Sequence, residues 1–153
     1  MSARNAGKRA LAAPSENEIA LIEDIAAFYD DPLGFVLYAF PWGVNGGPLA
    51  DEDGPDEWQR DVMGAIAESI KAGQDVGTAI QVAVASGHGI GKTALVAWLI
   101  LWYVSTHEFP QVVVTANTGT QLSAKTWREL SKWHKLSINQ HWFAWTATRF
   151  SHI

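Results

Sequence analysis

Cysteine is absent from the chain, which excludes a disulfide framework and any thiolate metal site and leaves the redox compartment open. The five histidines are scattered, with no pair at the i, i+3 or i+4 spacing that a helical metal site favours. Long apolar runs are also lacking. The longest, Ala94 to Val104, falls well short of the ~20 residues that span a bilayer, and Arg4, Lys8 and Arg9 are followed by too short an apolar stretch for a signal peptide. These lacks predict a soluble chain. The most telling shortage is of acid: past Gly91 the sequence holds only Glu108 and Glu129.

What is present is apolar and aromatic. At 153 residues, 48% of them hydrophobic, the chain fits one domain with a substantial core. Eight tryptophans are many for this length, and such large aromatic surfaces belong in cores or interfaces. The net charge of −5 hides an asymmetry: residues 1–85 hold five Lys/Arg against fourteen Asp/Glu, a balance of −9, and residues 86–153 hold six against two, a balance of +4. A polyanion would meet the second half.

Residues 1–14 read as a disordered arm. Ser15 is a plausible N-cap with Glu18 three residues on, and Ile19, Ile22, Ile25, Ala26 and Tyr29 recur at helical spacing. A short helix follows over Pro32 to Phe40 with proline in its first position, and Pro41 to Asp56 is a glycine- and proline-rich loop. Trp58 to Ala72 predicts another helix, burying Trp58, Val62, Ile66 and Ile70. Ile80 to Ala85 predicts a strand, Lys92 to Thr106 a helix with no polar face, Gln111 to Ala116 a second strand, and Thr118 or Thr120 the cap of a helix running to about Lys135. Phe143 to Thr148 predicts a further strand. Strand, helix, strand, helix, strand is the sign of a parallel α/β sheet.

Between the first strand and its helix lies Ser86-Gly87-His88-Gly89-Ile90-Gly91-Lys92-Thr93, a P-loop (Walker A) pattern with Ser86 in the usual first glycine position. Glycines let a loop turn its backbone N–H groups inward around a polyphosphate. Lys92 would reach the β/γ phosphates, Thr93 would hold Mg²⁺, and the helix would present its positive end to the anion. The expected cofactors are ATP and Mg²⁺. The expected fold class is α/β, a P-loop NTPase with a partial parallel sheet flanked by helices and preceded by an N-terminal helical segment.

An ATPase of this class also needs an acidic strand end to hold Mg²⁺ through water and polarise the attacking water. Val112-Val113-Val114 ends instead in Thr115-Ala116-Asn117, Glu108 lies in a connection and Glu129 lies in mid-helix. With about three strands where sheets average about five or six, residues 15–153 read as the N-terminal part of an ATPase domain, truncated before the acidic (Walker B) strand. The catalytic residues remain open.

Three segments taken together resemble the large terminase subunit of tailed bacteriophages: PLGFVLYAFPW at Pro32 to Trp42, EWQRDVM at Glu57 to Met63, and the P-loop followed by VVVTANTGTQLSAKTWRELSKW at Val112 to Trp133. The resemblance covers most of residues 15–148 and implies the ATPase motor of viral DNA packaging, acting in the host cytoplasm. It also implies double-stranded DNA, a portal and a small terminase subunit as partners, and a homo-oligomer at full length. In that family a glutamine ahead of the P-loop reads adenine, which implies Gln59 here; a carboxamide can donate to N7 and accept from N6–H₂ at once. By itself Gln59 reads as an exposed helix residue. Where relatives carry an arginine in the phosphate loop, this chain has His88, a full cation at pH 7 only if bound phosphate raises its ordinary value of ~6.5; the alternative is a hydrogen bond within the loop. The family's acidic strand and its nuclease would lie past Ile153.

Lys125, Arg128, Lys132 and Lys135 step by three, four and three, an arc of roughly 80° on a regular helix at ~100° per residue. Such a stripe can hold DNA phosphates without reading sequence, or face a protein partner, or simply be solvated. Thr115, Asn117 and Thr118 fall where an open sheet places ligands, though capping suits Asn117 and Thr118 better. Two other functions fit the same motif: a helicase-like or recombination ATPase, and a non-hydrolysing nucleotide-dependent interaction module.

Overall fold

The computed structural model describes residues 13–73, 91–115, 122–146 and 149–152. Helix α1 (Glu16–Ala26) starts where the sequence places it, with Ser15 Oγ accepting the Glu18 N–H at 3.2 Å and Glu16 and Glu18 in the positive first turn. Its inner face is narrower than the isoleucine spacing suggests. Ile25 is buried and Leu21 and Phe28 pack on the core, whereas Ile19 and Ile22 face solvent. Helix α2 (Pro32–Ala39) has proline in its first turn and Asp31 Oδ1 accepting the Gly34 N–H at 3.0 Å, and it buries Phe35, Val36 and Ala39. The loop through residue 56 is tied down by Trp42 Nε1, which donates to the Val36 carbonyl at 2.9 Å, and by buried Leu49.

Helix α3 (Glu57–Lys71) packs against α2. Its most buried residues are Gln59, Met63 and Ala67, one position on from the expected stripe; Trp58, Val62, Ile66 and Ile70 are only partly buried against the core. The two stripes are adjacent on the helix surface. The residue that this rotation carries inside is Gln59.

Helix α4 (Lys92–Thr106) is the central element, touching α1, α2 and α5 (Arg128–Leu136). Leu95, Ala97, Trp98, Ile100, Leu101 and Trp102 are buried. Around Trp98 the aromatic rings meet edge to face: Trp133 of α5 at 5.1 Å and 80°, and Trp42 at 5.9 Å and 78°. Phe40 packs on Trp133 at 5.0 Å. These offset geometries suit ring quadrupoles and fix the α2, α4 and α5 packing beyond what area burial alone would do. Trp102 Nε1 donates to the Phe28 carbonyl at 2.7 Å, which fastens α4 to the α1–α2 corner.

A π-helical turn, Leu122–Trp127, leads into α5. After it, Asn139 is almost fully buried; it donates to Ser105 Oγ of α4 at 3.0 Å and accepts from Ser137 Oγ. A short 3₁₀ turn (Gln140–Trp142) then delivers strand β1 (Phe143–Trp145), which pairs antiparallel with β2 (Phe150–His152) in the register Phe143↔His152, Ala144↔Ser151, Trp145↔Phe150.

The parallel α/β sheet of a P-loop NTPase is thereby contradicted. The described residues form five α-helices and one two-stranded antiparallel hairpin. Two physical reasons are visible. Phe143–Trp145 finds its partner a few residues further along, across a turn closed by Thr146 N–H to the Arg149 carbonyl at 2.8 Å, and so short a loop is far cheaper to close than the crossover of a dozen or more residues that a parallel neighbour requires. Residues 111–115, expected as a strand, pair with no strand among the described residues; Val113 is 87% exposed, and the segment edges an open apolar groove of about 490 Å³ beside Ile66, Val96, Leu99 and Tyr103. The helix expected, for want of a polar face, to be buried on nearly all sides is open there at Val96. The strand expected at residues 80–85 lies outside the described residues, as do the proposed caps Thr118 and Thr120 and residues 1–12 of the expected arm. The N-terminal helical segment stands as expected in α1 to α3.

Candidate phosphate-binding site

The starts of α3 and α4 are joined through one side chain. Asp56 and Gln59 form a capping box at the start of α3, in which Gln59 Oε1 accepts the Asp56 N–H at 2.8 Å. The same carboxamide turns its nitrogen to α4: Gln59 Nε2 donates to the Gly91 carbonyl at 2.9 Å. That carbonyl also accepts the Leu95 N–H at 3.1 Å, the first backbone bond of α4. Both lone pairs of the Gly91 oxygen are in use.

Gly91 is the N-cap of α4, with φ +86° and ψ +20°. A side chain is disfavoured there twice. The left-handed conformation costs an L-residue roughly 1–2 kcal/mol, and a Cβ on Gly91 would lie 2.7 Å from Gln59 Nε2. Lys92 and Thr93 follow as the first two helical residues, both half-buried. Among the described residues this first turn carries no acid and no side-chain cap. A helix start of this kind concentrates positive potential from its backbone N–H groups, and Lys92 stands in its first turn.

Of the motif residues, the structure describes Gly91, Lys92 and Thr93; Ser86, Gly87, His88, Gly89 and Ile90 lie outside the described residues. Gln59 is brought to the motif, but not as an exposed residue. It is 3% exposed, and its carboxamide oxygen and nitrogen both bond the chain itself. The signal that could have found this is the Asp56-Glu57-Trp58-Gln59 spacing, which reads as a capping box.

Of the two acids of the second half, one lies past the far end of α4 and the other is engaged on α5. Glu108 follows the far end of α4, roughly 22 Å along a 15-residue helix, and Glu129 accepts from Trp133 Nε1 at 2.9 Å and faces Lys132 Nζ at 3.9 Å. Lys125, Arg128, Lys132 and Lys135 are all exposed. Their expected arc assumes a regular helix, and the π-helical turn that contains Lys125 shifts that residue out of phase with the three that follow. Lys132 also sits over the Trp133 ring at 5.1 Å. Thr115 is exposed at the end of the unpaired segment, and Asn117 and Thr118 lie outside the described residues.

Polyphosphate suits the donors present here: a helix start, an ammonium at Lys92 and a hydroxyl at Thr93. For Mg²⁺, Thr93 would supply one protein oxygen and phosphates and water the rest, the usual manner of binding this ion. Among the described residues no helix is long and apolar enough to cross a membrane. Comparison with family models, with curated proteins and with solved structures finds no match to the chain.

Proposed function

We propose that the chain binds ATP·Mg²⁺ at the start of α4 and is the ATP-binding portion of a large terminase subunit, the motor of viral DNA packaging. The observation that carries this reading is that α4 begins at Lys92 on a left-handed Gly91, as the Gly-Lys-Thr motif requires, with a first turn that holds no acid and no side-chain cap among the described residues. Lys92 neutralises the β/γ phosphates, Thr93 ligates the metal, and the helix N–H groups bind the phosphate oxygens. Arg128, Lys132 and Lys135 of α5, with Lys125 beside them, offer non-specific contacts to the phosphates of double-stranded DNA. Glu108 lies past the far end of α4 from Lys92 and Glu129 accepts from Trp133 Nε1, which favours one further statement: the chain by itself binds nucleotide without turning it over.

Titration calorimetry with ATP and Mg²⁺ tests this. A charge-assisted contact contributes about 1.5–3 kcal/mol, so Lys92→Ala should weaken binding by roughly ten- to a hundredfold. Phosphate release should stay near background in both proteins. Equal affinity in the two would end the nucleotide reading, and rapid Lys92-dependent hydrolysis would show that an acid elsewhere completes the site.

A further inference from the structure

Gln59 was expected to meet the adenine base, and that task needs a free donor and a free acceptor on one carboxamide edge. The geometry engages that carboxamide within the chain at both its oxygen and its nitrogen. Gln59 Oε1 is bound by the Asp56 N–H at 2.8 Å, Gln59 Nε2 is bound to the Gly91 carbonyl at 2.9 Å, and the residue is 3% exposed. Reaching a base would require leaving the interior and breaking both bonds, which would leave the Gly91 carbonyl without its side-chain donor.

We infer that Gln59 is a positioning residue for the phosphate site: it locks the left-handed Gly91 through its carbonyl, so the site selects the polyphosphate and takes nucleoside triphosphates without Gln59 discriminating the base. This rests on the reading that the start of α4 binds phosphate. Two contacts make the lock specific. The Gly91 oxygen receives Gln59 Nε2 and the Leu95 N–H together, which fixes the peptide that precedes Lys92. The same glutamine nitrogen occupies the space a Cβ on Gly91 would need, 2.7 Å away, so Gln59 in this place requires glycine at position 91. Rotation of that peptide would re-aim the Lys92 and Thr93 N–H groups, and anion binding depends on that aim.

Gln59→Glu separates positioning from folding. A glutamate keeps an acceptor for the Asp56 N–H and so keeps the α3 cap, but it sets an acceptor against the Gly91 carbonyl. The experiment measures affinity of the full chain for ATP, GTP and inorganic tripolyphosphate, each with Mg²⁺, alongside thermal melting, for the native chain, Gln59→Glu and Gln59→Met. The expected result is a loss of about threefold to tenfold or more in Gln59→Glu, equal for the three ligands. Gln59→Met, which keeps the bulk and loses both bonds, should follow the same pattern. Loss confined to ATP would overturn the inference in favour of base reading, and affinities unchanged in Gln59→Glu would overturn it outright. If the native chain binds none of the three, the phosphate reading falls separately, and amide exchange at Leu95 decides the lock: faster exchange in Gln59→Glu supports it, and unchanged exchange refutes it.

Discussion

Helices α1, α2 and α3 each begin on a side chain from their own neighbourhood, whereas α4 begins on a glycine held from another helix. Ser15, Asp31 and the Asp56–Gln59 box sit within three residues of the amides they serve. The start of α4 depends on Gln59, 32 positions earlier in the chain. The difference teaches where each helix draws its definition. The first three are specified locally at their starts; α4, among the described residues, is specified by burial of its body and by the long-range bond from Gln59 at its start.

If α4 is held by its body, the largest loss should come from the middle of that helix. Trp98 is 3% exposed and packs edge to face on Trp42 and Trp133, so Trp98→Ala should cost about 3–5 kcal/mol, visible as a fall in denaturant midpoint large enough to threaten folding at ambient temperature. A cost near 1 kcal/mol would mean that the aromatic cluster is loosely packed. Next comes the start of the helix. Gly91→Ala combines left-handed strain with displacement of Gln59 and should cost about 2–3 kcal/mol, and Gln59→Ala added to it should cost less than it does alone, because the bond is already lost. Additive losses would break the coupling between α3 and α4. Smaller again is the local cap: Asp31→Ala should cost about 1 kcal/mol, and it should leave the behaviour of Gly91 variants unchanged.

This ordering parallels what could be read from the sequence. The cap at Ser15, the start of α2 at Pro32, the loop after Phe40 and the extent of α4 were legible because each is written in neighbouring residues: a cap within three positions of the amide it serves, a proline, an unbroken apolar run. The sheet was not legible. Phe143–Trp145 and Val112–Val114 look alike as short apolar runs, and periodicity alone does not say whether such a run pairs in parallel across a helix, pairs locally, or pairs with nothing. The local hairpin won at Phe143 because its partner Phe150–His152 is close in the chain. On α3, the apolar stripe Trp58, Val62, Ile66, Ile70 pointed to a face one residue away from the observed one, since glutamine carries no apolar signal even when a capping box and a distant carbonyl satisfy it inside. At the candidate site, Lys92 and Thr93 were read from their motif and do begin a helix, whereas the role of Gln59 depends on a contact that only the folded chain creates. Residue spacing likewise gives no sign that Lys125 lies in a π-helical turn while Arg128, Lys132 and Lys135 lie in α5.

The smallest expected effect sharpens the comparison by titrating α4 at its far end against α1 at its start. His107 ends α4, stacked on Tyr103 at 4.2 Å, with Tyr29 tilted against it at 4.5 Å and Trp102 edge-on at 5.3 Å. Thr106 Oγ1 donates to the Trp102 carbonyl at 2.7 Å, so it is placed to accept from His107 Nδ1–H at 2.9 Å, which suits a neutral imidazole. Burial lowers the His107 pKa from its ordinary 6.5, even though a helix C-terminus favours a cation and the backbone of Tyr103 pulls the other way. The unfolded chain therefore binds the proton more readily, and this stability is complete above pH 6.5 and is lost as pH falls through the lowered folded value. Glu18 behaves in the same direction over a more acid window. Its pKa is lowered from 4.5, first by the hydrogen bond from Trp142 Nε1 and then by that from His141, so its contribution stands above pH 4.5 and is lost below it. Thermal melts from pH 8 to pH 3 should show a shallow decline that starts below pH 6.5 and steepens below pH 4.5. His107→Gln should remove the first part and Glu18→Gln the second, each leaving the other; a first decline that survives His107→Gln would place the proton elsewhere and leave the end of α4 as indifferent to pH as its apolar body.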